Sequence, residues 1–338
     1  MPDISRRVRI AVAGLGRMGQ RHARNAAAAS GIDLIAVADV DEARAAALGT
    51  ELGVPGYSDA GRMLDEAGPQ GLVIATPPAT HVRLIELAAA RSIHVLCEKP
   101  LSFDGPEAVR ALGLAAEAGI AIQLGFQMRF DEDLTEIAEY IARGELGRIY
   151  QLRAALRDAS PPPREYLAAS GGYFWDGAIH LLDLARWLIG EIAQVSAFGA
   201  ALSDPLFEEL GDVDNALIVL RAESGALGLL ETSRVAGYGF ESGFELLGSE
   251  ATCRVAGGRA GGVDLYRDGA IVARHRRDFL ERFGPAYPRE LAGFADVVAG
   301  ACAPRVSGLD GLAAMRLCEA AVRSYERGET VDVSAIEW

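Results

Sequence analysis

Three residues in the sequence have the types and positions needed to act on a hydroxyl group. Lys99 lies after an apolar run and before Pro100, and its ammonium could stabilise the alkoxide that develops as a hydride leaves a carbon. A cis bond between Lys99 and Pro100 would direct the lysine into a crevice, and proline lowers the cost of that form. Asp176 and His180 are four residues apart, so a helix starting at Asp176 would place them on one face. A carboxylate beside an imidazole raises the basicity of the ring, which suits a general base.

Each of these residues also has a purely structural interpretation. Lys99 could be a solvated side chain paired with Glu98, which would contribute little to stability. Asp176 could cap a helix, with His180 packed in the core. Asp176, His180 and Asp183 could form a metal site, but no further histidine or cysteine lies near them in the sequence. We therefore do not expect a metal.

A glycine-rich turn near the start of the chain predicts a dinucleotide site. The apolar run Val8–Ala13 leads directly into Gly14-Leu15-Gly16-Arg17-Met18-Gly19. In this spacing the first glycine allows a tight turn, the second lets the backbone approach a pyrophosphate, and the third lets helix and strand pack closely. The helix that follows would direct its N-terminal amides at the phosphates.

An acidic residue beyond this turn predicts which cofactor binds. Asp39 follows a second apolar run, Leu34–Ala38, at the position where a carboxylate binds the adenosine ribose hydroxyls. The 2′-phosphate of NADP would be repelled there by the negative charges of Asp39 and Asp41. Arg44 is the nearby cation that could favour NADP. We expect NAD, with NADP the less favoured cofactor.

Alternating strand and helix patterns predict the fold that positions these residues. Apolar runs at Leu72–Ala75, Ile93–Cys97 and Ile120–Leu124 are separated by helical patterns. This alternation predicts an α/β domain, a doubly wound parallel sheet of the Rossmann type, over residues 1–125. Ligands of such sheets bind outside the carboxyl ends of the strands. Four candidate residues fall there: Gly14, Asp39, Thr76 and Lys99.

Residues 126–338 are predicted to form a second, α+β domain. Ser160-Pro161-Pro162-Pro163 excludes a helix or an inner strand. Later apolar runs separated by turns predict a mostly antiparallel, open-faced sheet: Gln194–Gly199, Ala216–Arg221, Ala226–Thr232, Phe244–Leu247 and Ala251–Val255. Because Ala216–Leu220 is apolar on both faces, we expect a second copy of the chain to cover the open face.

Composition excludes several classes of protein. The 338 residues carry a formal net charge of −14, which argues against binding to nucleic acid or to an anionic membrane. No apolar run reaches the length that spans a bilayer. The four cysteines form no C-x-x-C pair, so neither a zinc ribbon nor a disulfide framework is indicated. We expect a cytoplasmic protein with a small-molecule substrate.

Four motifs, in this order, resemble those of one oxidoreductase family. They are Gly14-x-Gly16-x-x-Gly19, Thr76-Pro77-Pro78-x-x-His81, Cys97-Glu98-Lys99-Pro100 and Asp176-x-x-x-His180. The sequence resembles the glucose–fructose oxidoreductase, inositol dehydrogenase and rhizopine-catabolism (Gfo/Idh/MocA) family over nearly its whole length. Pro161–Tyr166 and Ser170–Gly172 are most similar to inositol 2-dehydrogenases.

The resemblance implies NAD(P)-dependent oxidation of a polyol or sugar hydroxyl by a homodimer or homotetramer. Lys99 and Asp176 would hold the hydroxyl, and His180 would take its proton. The implied cofactor contacts are Gly14, Gly16, Arg17, Met18, Gly19, Asp39, Thr76, Pro77, His81, Glu98 and Lys99. The polar side chains that could surround the substrate are Lys99, Arg129, Arg157, Asp176, His180, Tyr238 and Tyr287.

The chain departs from the family pattern where substrate hydroxyls would be contacted. Gln127-Met128 precedes Arg129 where relatives often carry Asn-Arg or Met-Arg, and Ala168 replaces a common lysine. Leu181-Leu182 replaces a polar–aromatic pair. The expected substrate is a cyclitol such as myo-inositol, with a pyranose sugar as the alternative. A non-catalytic NAD- or sugar-sensing regulator is a further alternative.

Overall fold

The computed structural model describes residues 7–338, which divide into two compact units. The first unit comprises the described residues up to Phe130, together with Pro285–Ala313 and Trp338. The second comprises Asp131–Gly284 and Ala314–Glu337. The predicted domains, 1–125 and 126–338, have a single boundary, whereas the chain returns to the first unit after residue 284. Residues 1–6 of the first predicted domain lie outside the described residues.

A parallel sheet forms the centre of the first unit. Its strands within the described residues are β1 (Val8–Ala13), β2 (Ile32–Ala38), β3 (Gly56–Tyr57), β4 (Gly71–Ile74), β5 (His94–Cys97) and β6 (Ile122–Leu124). Their order is β3-β2-β1-β4-β5-β6, and every pair is parallel. The helices between them are α1 (Arg17–Ala28), α2 (Glu42–Leu52), α3 (Ala60–Ala67), α4 (His81–Ala89) and α5 (Gly105–Glu117). The predicted doubly wound Rossmann sheet is confirmed.

A mixed sheet forms the centre of the second unit. Its strands within the described residues are β7 (Ile149–Arg157), β8 (Ile192–Ala200), β9 (Asn215–Ala222), β10 (Leu227–Ser233), β11 (Glu241–Gly248), β12 (Thr252–Val255) and, last in the chain, β15 (Val331–Asp332). Their order is β12-β11-β7-β10-β9-β8-β15, and only the β7–β10 pair is parallel. A separate hairpin contains β13 (Arg259–Arg267) and β14 (Ala270–His275). The predicted α+β class is confirmed.

Helices cover one face of the second sheet and leave the other open. The helices of the second unit before residue 285 are α6 (Glu132–Ala142), α7 (Arg164–Ala169), α8 (Ile179–Ile189), α9 (Pro205–Glu209) and α10 (Phe279–Phe283). Helix α8 packs on β7 and β10. Along β9, Ala216, Ile218 and Leu220 are buried, whereas Leu217 and Val219 are 51% and 44% exposed. The open face therefore carries exposed apolar side chains.

Two further helices complete the chain: α11 (Ala286–Val298) and α12 (Gly308–Arg327). The apolar side of α11 explains why the chain returns to the first unit. Leu291 and Phe294 have no exposed surface and join the core around β1, β2 and β4. Gly71 makes room for this contact, because a Cβ there would lie 3.0 Å from the Phe294 ring. No helix among residues 7–338 is both long and apolar enough to cross a bilayer.

Replacing Phe294 with alanine is expected to lower the free energy of unfolding by about 3–5 kcal/mol, because a fully buried ring leaves a cavity. Guanidinium titration followed by circular dichroism measures the change. Leu309→Ala is the control, because Leu309 is 69% exposed in the same returning segment, and it should shift stability by less than about 0.5 kcal/mol. Equally small effects of both substitutions would contradict the placement of α11 in the core.

Candidate functional site

In the glycine turn after β1, the backbone is closely packed at Gly14 and Gly19 and open at Gly16. Gly14 has φ +84°, and a Cβ there would lie 2.6 Å from backbone atoms of Ala75 and Thr76. A Cβ on Gly19 would lie 1.7 Å from the Gly14 carbonyl oxygen. At Gly16, by contrast, a Cβ would meet no described atom within 4 Å. Gly14 and Gly19 are thus needed for packing, whereas Gly16 leaves space for a ligand to approach the backbone.

Helix α1 begins directly at this open position. Gly16 is its N-cap residue and makes no side-chain cap hydrogen bond. Gly16 and Arg17 are exposed, and Met18 is half-buried. First-turn amides and the positive end of the helix dipole favour an anion, so the turn fits a pyrophosphate.

Asp39 is held rigidly against the same turn. Its carboxylate accepts hydrogen bonds from the backbone N–H of Leu15 at 2.6 Å and of Asp41 at 2.9 Å. The Arg44 guanidinium lies 3.3 Å from both oxygens of Asp39 and 3.2 Å from Asp41. The structure therefore brings Asp39 and the glycine turn together, as predicted for a ribose-binding carboxylate, and engages Arg44 with both aspartates.

His81 connects the segment after β4 to the segment after β5. Its buried ring places Nε2 2.9 Å from the Thr76 carbonyl oxygen and Nδ1 2.9 Å from the Pro100 carbonyl oxygen. Burial lowers the pKa of His81 by more than these hydrogen bonds raise it. A neutral ring donates from only one nitrogen at a time. The Lys99–Pro100 bond beside this contact is cis, which confirms the sequence prediction.

Glu98 forms a buried pair with His22, a residue that sequence analysis did not single out. His22 Nε2 lies 2.8 Å from Glu98 Oε1, and His22 has no exposed surface. Burial raises the pKa of the Glu98 carboxyl, but the His22 hydrogen bond and the charges of His22 and Lys99 outweigh it, and the net pKa falls. An ionised carboxylate thus lies beside Lys99. The feature of the sequence that could have indicated this pair is a histidine on the buried face of α1.

Glu290 is a second buried carboxyl that sequence analysis missed. It lies on α11 with no exposed surface, and among the described residues neither of its carboxyl oxygens has a hydrogen-bond partner. Burial, followed by the charge of Glu98, raises the pKa of Glu290 well above its usual range. Of two neighbouring buried carboxyls, Glu98 carries the charge and Glu290 keeps its proton. The feature of the sequence that could have indicated this buried carboxyl is one acidic residue beside the apolar Leu291 and Phe294.

In the second unit, Asp176 is held by two hydrogen bonds. The Tyr166 hydroxyl donates to Oδ1 at 2.7 Å, and Arg234 Nη2 donates to Oδ2 at 2.6 Å. The Arg234 guanidinium in turn lies over the Tyr173 ring, 4.4 Å from its centroid. We call Tyr166, Tyr173, Asp176 and Arg234 the Asp176 cluster. Sequence analysis did not assign a role to Arg234 or Tyr173.

The backbone at Asp176 differs from the regular helix predicted to start there. Residues Phe174–Ala178 form a π-helical turn, and the α-helix begins only at Ile179. The regular α-helix predicted to start at Asp176 is therefore not observed: Asp176 lies inside the π-helical turn, and His180 is the second residue of α8. The Tyr173 ring approaches Gly177 so closely that a Cβ there would lie 2.2 Å from it, and the widened turn accommodates this contact. Such turns are rare and often occur at functional sites.

Arg157 and Tyr238 form a separate network in the second unit. Arg157 donates to Glu231 at 2.5 Å, to Glu241 at 2.8 Å and to the Tyr238 hydroxyl at 3.0 Å. The Tyr238 hydroxyl donates to Glu241 in a short hydrogen bond. Two predicted substrate residues are thus brought together and paired with carboxylates. In the first unit, Arg129 Nη2 lies 3.4 Å from Asp310 Oδ1.

The predicted site residues are distributed between the two units. The first unit holds Gly14, Gly16, Arg17, Met18, Gly19, Asp39, Thr76, Pro77, His81, Glu98, Lys99, Arg129 and Tyr287. The second unit holds Arg157, Asp176, His180 and Tyr238. Among residues 7–338, no three or more His, Cys, Asp or Glu side chains are grouped as metal ligands.

Family models match most of the chain in two consecutive segments. Residues 8–126 match the Gfo/Idh/MocA model described as the oxidoreductase family, NAD-binding Rossmann fold. Residues 138–333 match the model described as the oxidoreductase family, C-terminal alpha/beta domain.

Several full-length relatives are inositol dehydrogenases. The chain is 35% identical over 332 residues to the myo-inositol 2-dehydrogenase of Thermotoga maritima, covering 97% of this chain and 99% of that protein. It is 35% identical over 329 residues to the scyllo-inositol 2-dehydrogenase (NAD(+)) of Bacillus subtilis, covering 96% of each. The structure of scyllo-inositol dehydrogenase from Lactobacillus casei with bound NAD(H) and scyllo-inositol is similar with a TM-score of 0.90 and 26% identity, covering 97% of this chain and 100% of that one.

Glu290→Gln is expected to change how stability depends on pH. A carboxyl whose pKa is raised by folding binds a proton in the folded state at pH values where the unfolded chain has released it. The parent therefore loses stability as pH rises from the usual carboxyl pKa towards the raised one. Glutamine keeps the shape and does not titrate. The stability of the variant relative to the parent should rise by up to about 1.4 kcal/mol per pH unit in that window.

Urea unfolding at a series of pH values measures this difference. Glu209→Gln is the matched control, because Glu209 forms an exposed pair with Arg164 and should give a curve parallel to that of the parent. A parallel curve for Glu290→Gln would show that Glu290 is ionised in the folded protein.

Proposed function

Because the chain belongs to the Gfo/Idh/MocA oxidoreductase family, we propose that it oxidises a secondary ring hydroxyl of a cyclitol such as myo-inositol to the ketone. The observation that carries this proposal is its 35% identity, over 97% of the chain, to a protein named myo-inositol 2-dehydrogenase. That similarity includes both units, and hence both the NAD-binding fold and the unit that holds Asp176 and His180.

The first unit has features that fit NAD at three points. The open Gly16 position accepts the close approach of a pyrophosphate, and the first-turn amides of α1 can donate to it. The Asp39 carboxylate keeps acceptor capacity for ribose hydroxyls beyond the hydrogen bonds it already makes. The further cofactor contacts that we propose are Arg17, Met18, Thr76, Pro77, Glu98 and Lys99, with His81 holding the segments that carry them.

Three side chains carry out the proposed chemistry, and NAD would accept the hydride. The Lys99 ammonium donates a hydrogen bond to the reacting oxygen and stabilises negative charge as the oxygen loses its proton. Asp176, fixed by Tyr166 and Arg234, accepts a hydrogen bond from the substrate. His180 takes the hydroxyl proton as the general base. We further propose that Arg129, Arg157 and Tyr238 contact other substrate hydroxyls.

The experiment that tests the function follows NADH formation with inositol isomers, pyranoses, sugar acids and acyclic polyols. We expect activity with myo-inositol or a close cyclitol, and a kcat/KM that rises with pH and then levels, because only a neutral His180 accepts a proton. Activity confined to pyranoses would support the alternative substrate class. No turnover with any member of the panel would favour a sensing regulator.

His180→Ala should lower kcat by about 10²–10⁴ if His180 is the base, and Lys99→Ala should be comparably harmful. His94→Asn is the control: His94 accepts a hydrogen bond from the Ala121 amide, and we assign it no catalytic role. Full activity of His180→Ala would refute its assignment as the base.

NAD should be preferred over NADP by roughly ten-fold or more in kcat/KM, because a 2′-phosphate would face the Asp39 carboxylate. Asp39→Asn should reduce this preference, since it removes the negative charge that opposes the phosphate and weakens the ion pair with Arg44. Asp33→Asn, an exposed acid on the same strand, is the matched control. A clear preference of the parent for NADP would overturn the assignment.

We also propose that the chain forms a homodimer or homotetramer through the open face of the second sheet. Phe198, Leu217 and Val219 on that face are 66%, 51% and 44% exposed, and such a patch favours a protein partner. Sedimentation at micromolar concentration should show an oligomer that Val219→Arg dissociates. Leu309→Arg, an exposed position on α12, should leave it intact. A monomeric parent would contradict this proposal.

A further inference from the structure

We propose that Arg234 is a positioning residue for the reaction, acting through Asp176 by fixing both the orientation and the charge of its carboxylate. This inference rests on the proposed function, in which Asp176 accepts a hydrogen bond from the substrate. Arg234 is absent from the sequence-based list of site residues. Its Nη2 donates a hydrogen bond to Asp176 Oδ2 at 2.6 Å.

The main chain of Arg234 is held by the strands of the second sheet. Arg234 directly follows β10, an inner strand paired with β7 on one side and β9 on the other. Its backbone N–H donates to the Asp214 carbonyl oxygen at 2.7 Å. The sheet therefore fixes the base of the Arg234 side chain.

The guanidinium of Arg234 is also confined. Its side chain is 3% exposed and lies over the Tyr173 ring, 4.4 Å from the centroid. Asp158 Oδ2 lies 4.0 Å from Nη1. A planar guanidinium can stack on a ring and donate to a carboxylate at once, which a lysine ammonium does less well. Burial and these contacts thus restrict the guanidinium, and its Nη2 is directed at Asp176.

Arg234 also determines the charge of Asp176. Both side chains are almost fully buried, at 3% and 8% exposure, and an unpaired buried carboxylate would take up a proton. Burial lowers the pKa of Arg234, but the charge of Asp176 and the hydrogen bond to it raise this pKa by a larger amount. The net pKa of Arg234 therefore lies above its usual value. The salt bridge thus favours the charged form of Arg234, and Asp176 Oδ2 accepts its hydrogen bond.

The two oxygens of Asp176 are not equivalent. Oδ2 faces the buried Arg234, whereas Oδ1 accepts from the hydroxyl of Tyr166, a residue that is 43% exposed. Other titratable groups around Asp176 in this unit are Tyr173, Asp158 and, four residues along, His180. Arg234 thus holds the buried oxygen, and Tyr166 contacts the other.

Kinetics of Arg234→Met and Arg234→Lys test the proposal. Methionine keeps much of the volume but removes the charge and both donors, so kcat should fall by about 10–100-fold with a smaller change in KM. The acid limb of the kcat/KM profile, which we assign to His180, should move to higher pH, because protonation of Asp176 would then also remove active enzyme. Arg234→Lys retains a charge and should recover the pH profile of the parent while losing part of kcat.

Two comparisons separate positioning from a general loss of structure. Arg282→Met removes a similarly buried guanidinium that donates to Asp131 at 2.5 and 2.8 Å; it should lower stability without moving the pH profile. In an Asp176→Asn background, Arg234→Met should cause little further loss of kcat. An equal loss in that background, or the same profile shift in Arg282→Met, would overturn the proposal.

A measurement without turnover separates this inference from the proposed function. In protein labelled with ¹³C at the aspartate carboxyls, the Asp176 signal is identified by its loss in Asp176→Asn. This signal should titrate at higher pH in Arg234→Met than in the parent. If the methionine variant does not fold, Arg234→Gln is measured in its place. An unchanged titration would refute the role of Arg234 even in an active enzyme. A shifted titration in a chain that oxidises no cyclitol would refute only the proposed function.

Discussion

The contact between the first helix and the glycine turn is the constraint on which the rest of the first unit depends. A Cβ at Gly19 would lie 1.7 Å from the Gly14 carbonyl oxygen, so α1 can reach this position only without a side chain there. This approach places the buried face of α1 on the sheet, and His22, three residues further along, reaches Glu98 at 2.8 Å. Gly19, which allows this close packing, thereby contributes to the charge beside Lys99.

Pairing, rather than burial alone, decides which carboxylates are charged. Asp39 receives two backbone N–H groups and Arg44, Glu98 receives His22, and Asp176 receives Tyr166 and Arg234. For Glu98, these interactions outweigh the loss of water, and the net pKa falls. Glu290 has no such donors among the described residues, and burial raises its pKa, so it keeps its proton. Glu98 and Glu290 therefore differ in charge although both are largely buried.

Local patterns predicted the fold class, the cofactor turn and the candidate catalytic residues, since these depend on residues near one another in sequence. The parallel strands and Asp39 follow from apolar runs and fixed spacings. The return of α11 to the first core, the His22–Glu98 pair and the Asp176–Arg234 pair each join residues far apart in the chain, so periodicity could not reveal them. The hairpin of β13 and β14 carries exposed apolar residues such as Tyr266 and lacks the alternation that indicates a half-buried strand.

The π-helical turn at Phe174–Ala178 has a consequence for how this segment can change in evolution. Such a turn equals an α-helical segment with one inserted residue, and each residue of an α-helix rotates the next by about 100°. A one-residue deletion within Phe174–Ala178 would favour a regular α-helical turn and change the direction of the side chains that remain in this segment. Such a deletion would therefore disturb the pairing of Asp176 with Arg234. The proposed chemistry is thus expected to be more sensitive than the fold to the loss of one residue here.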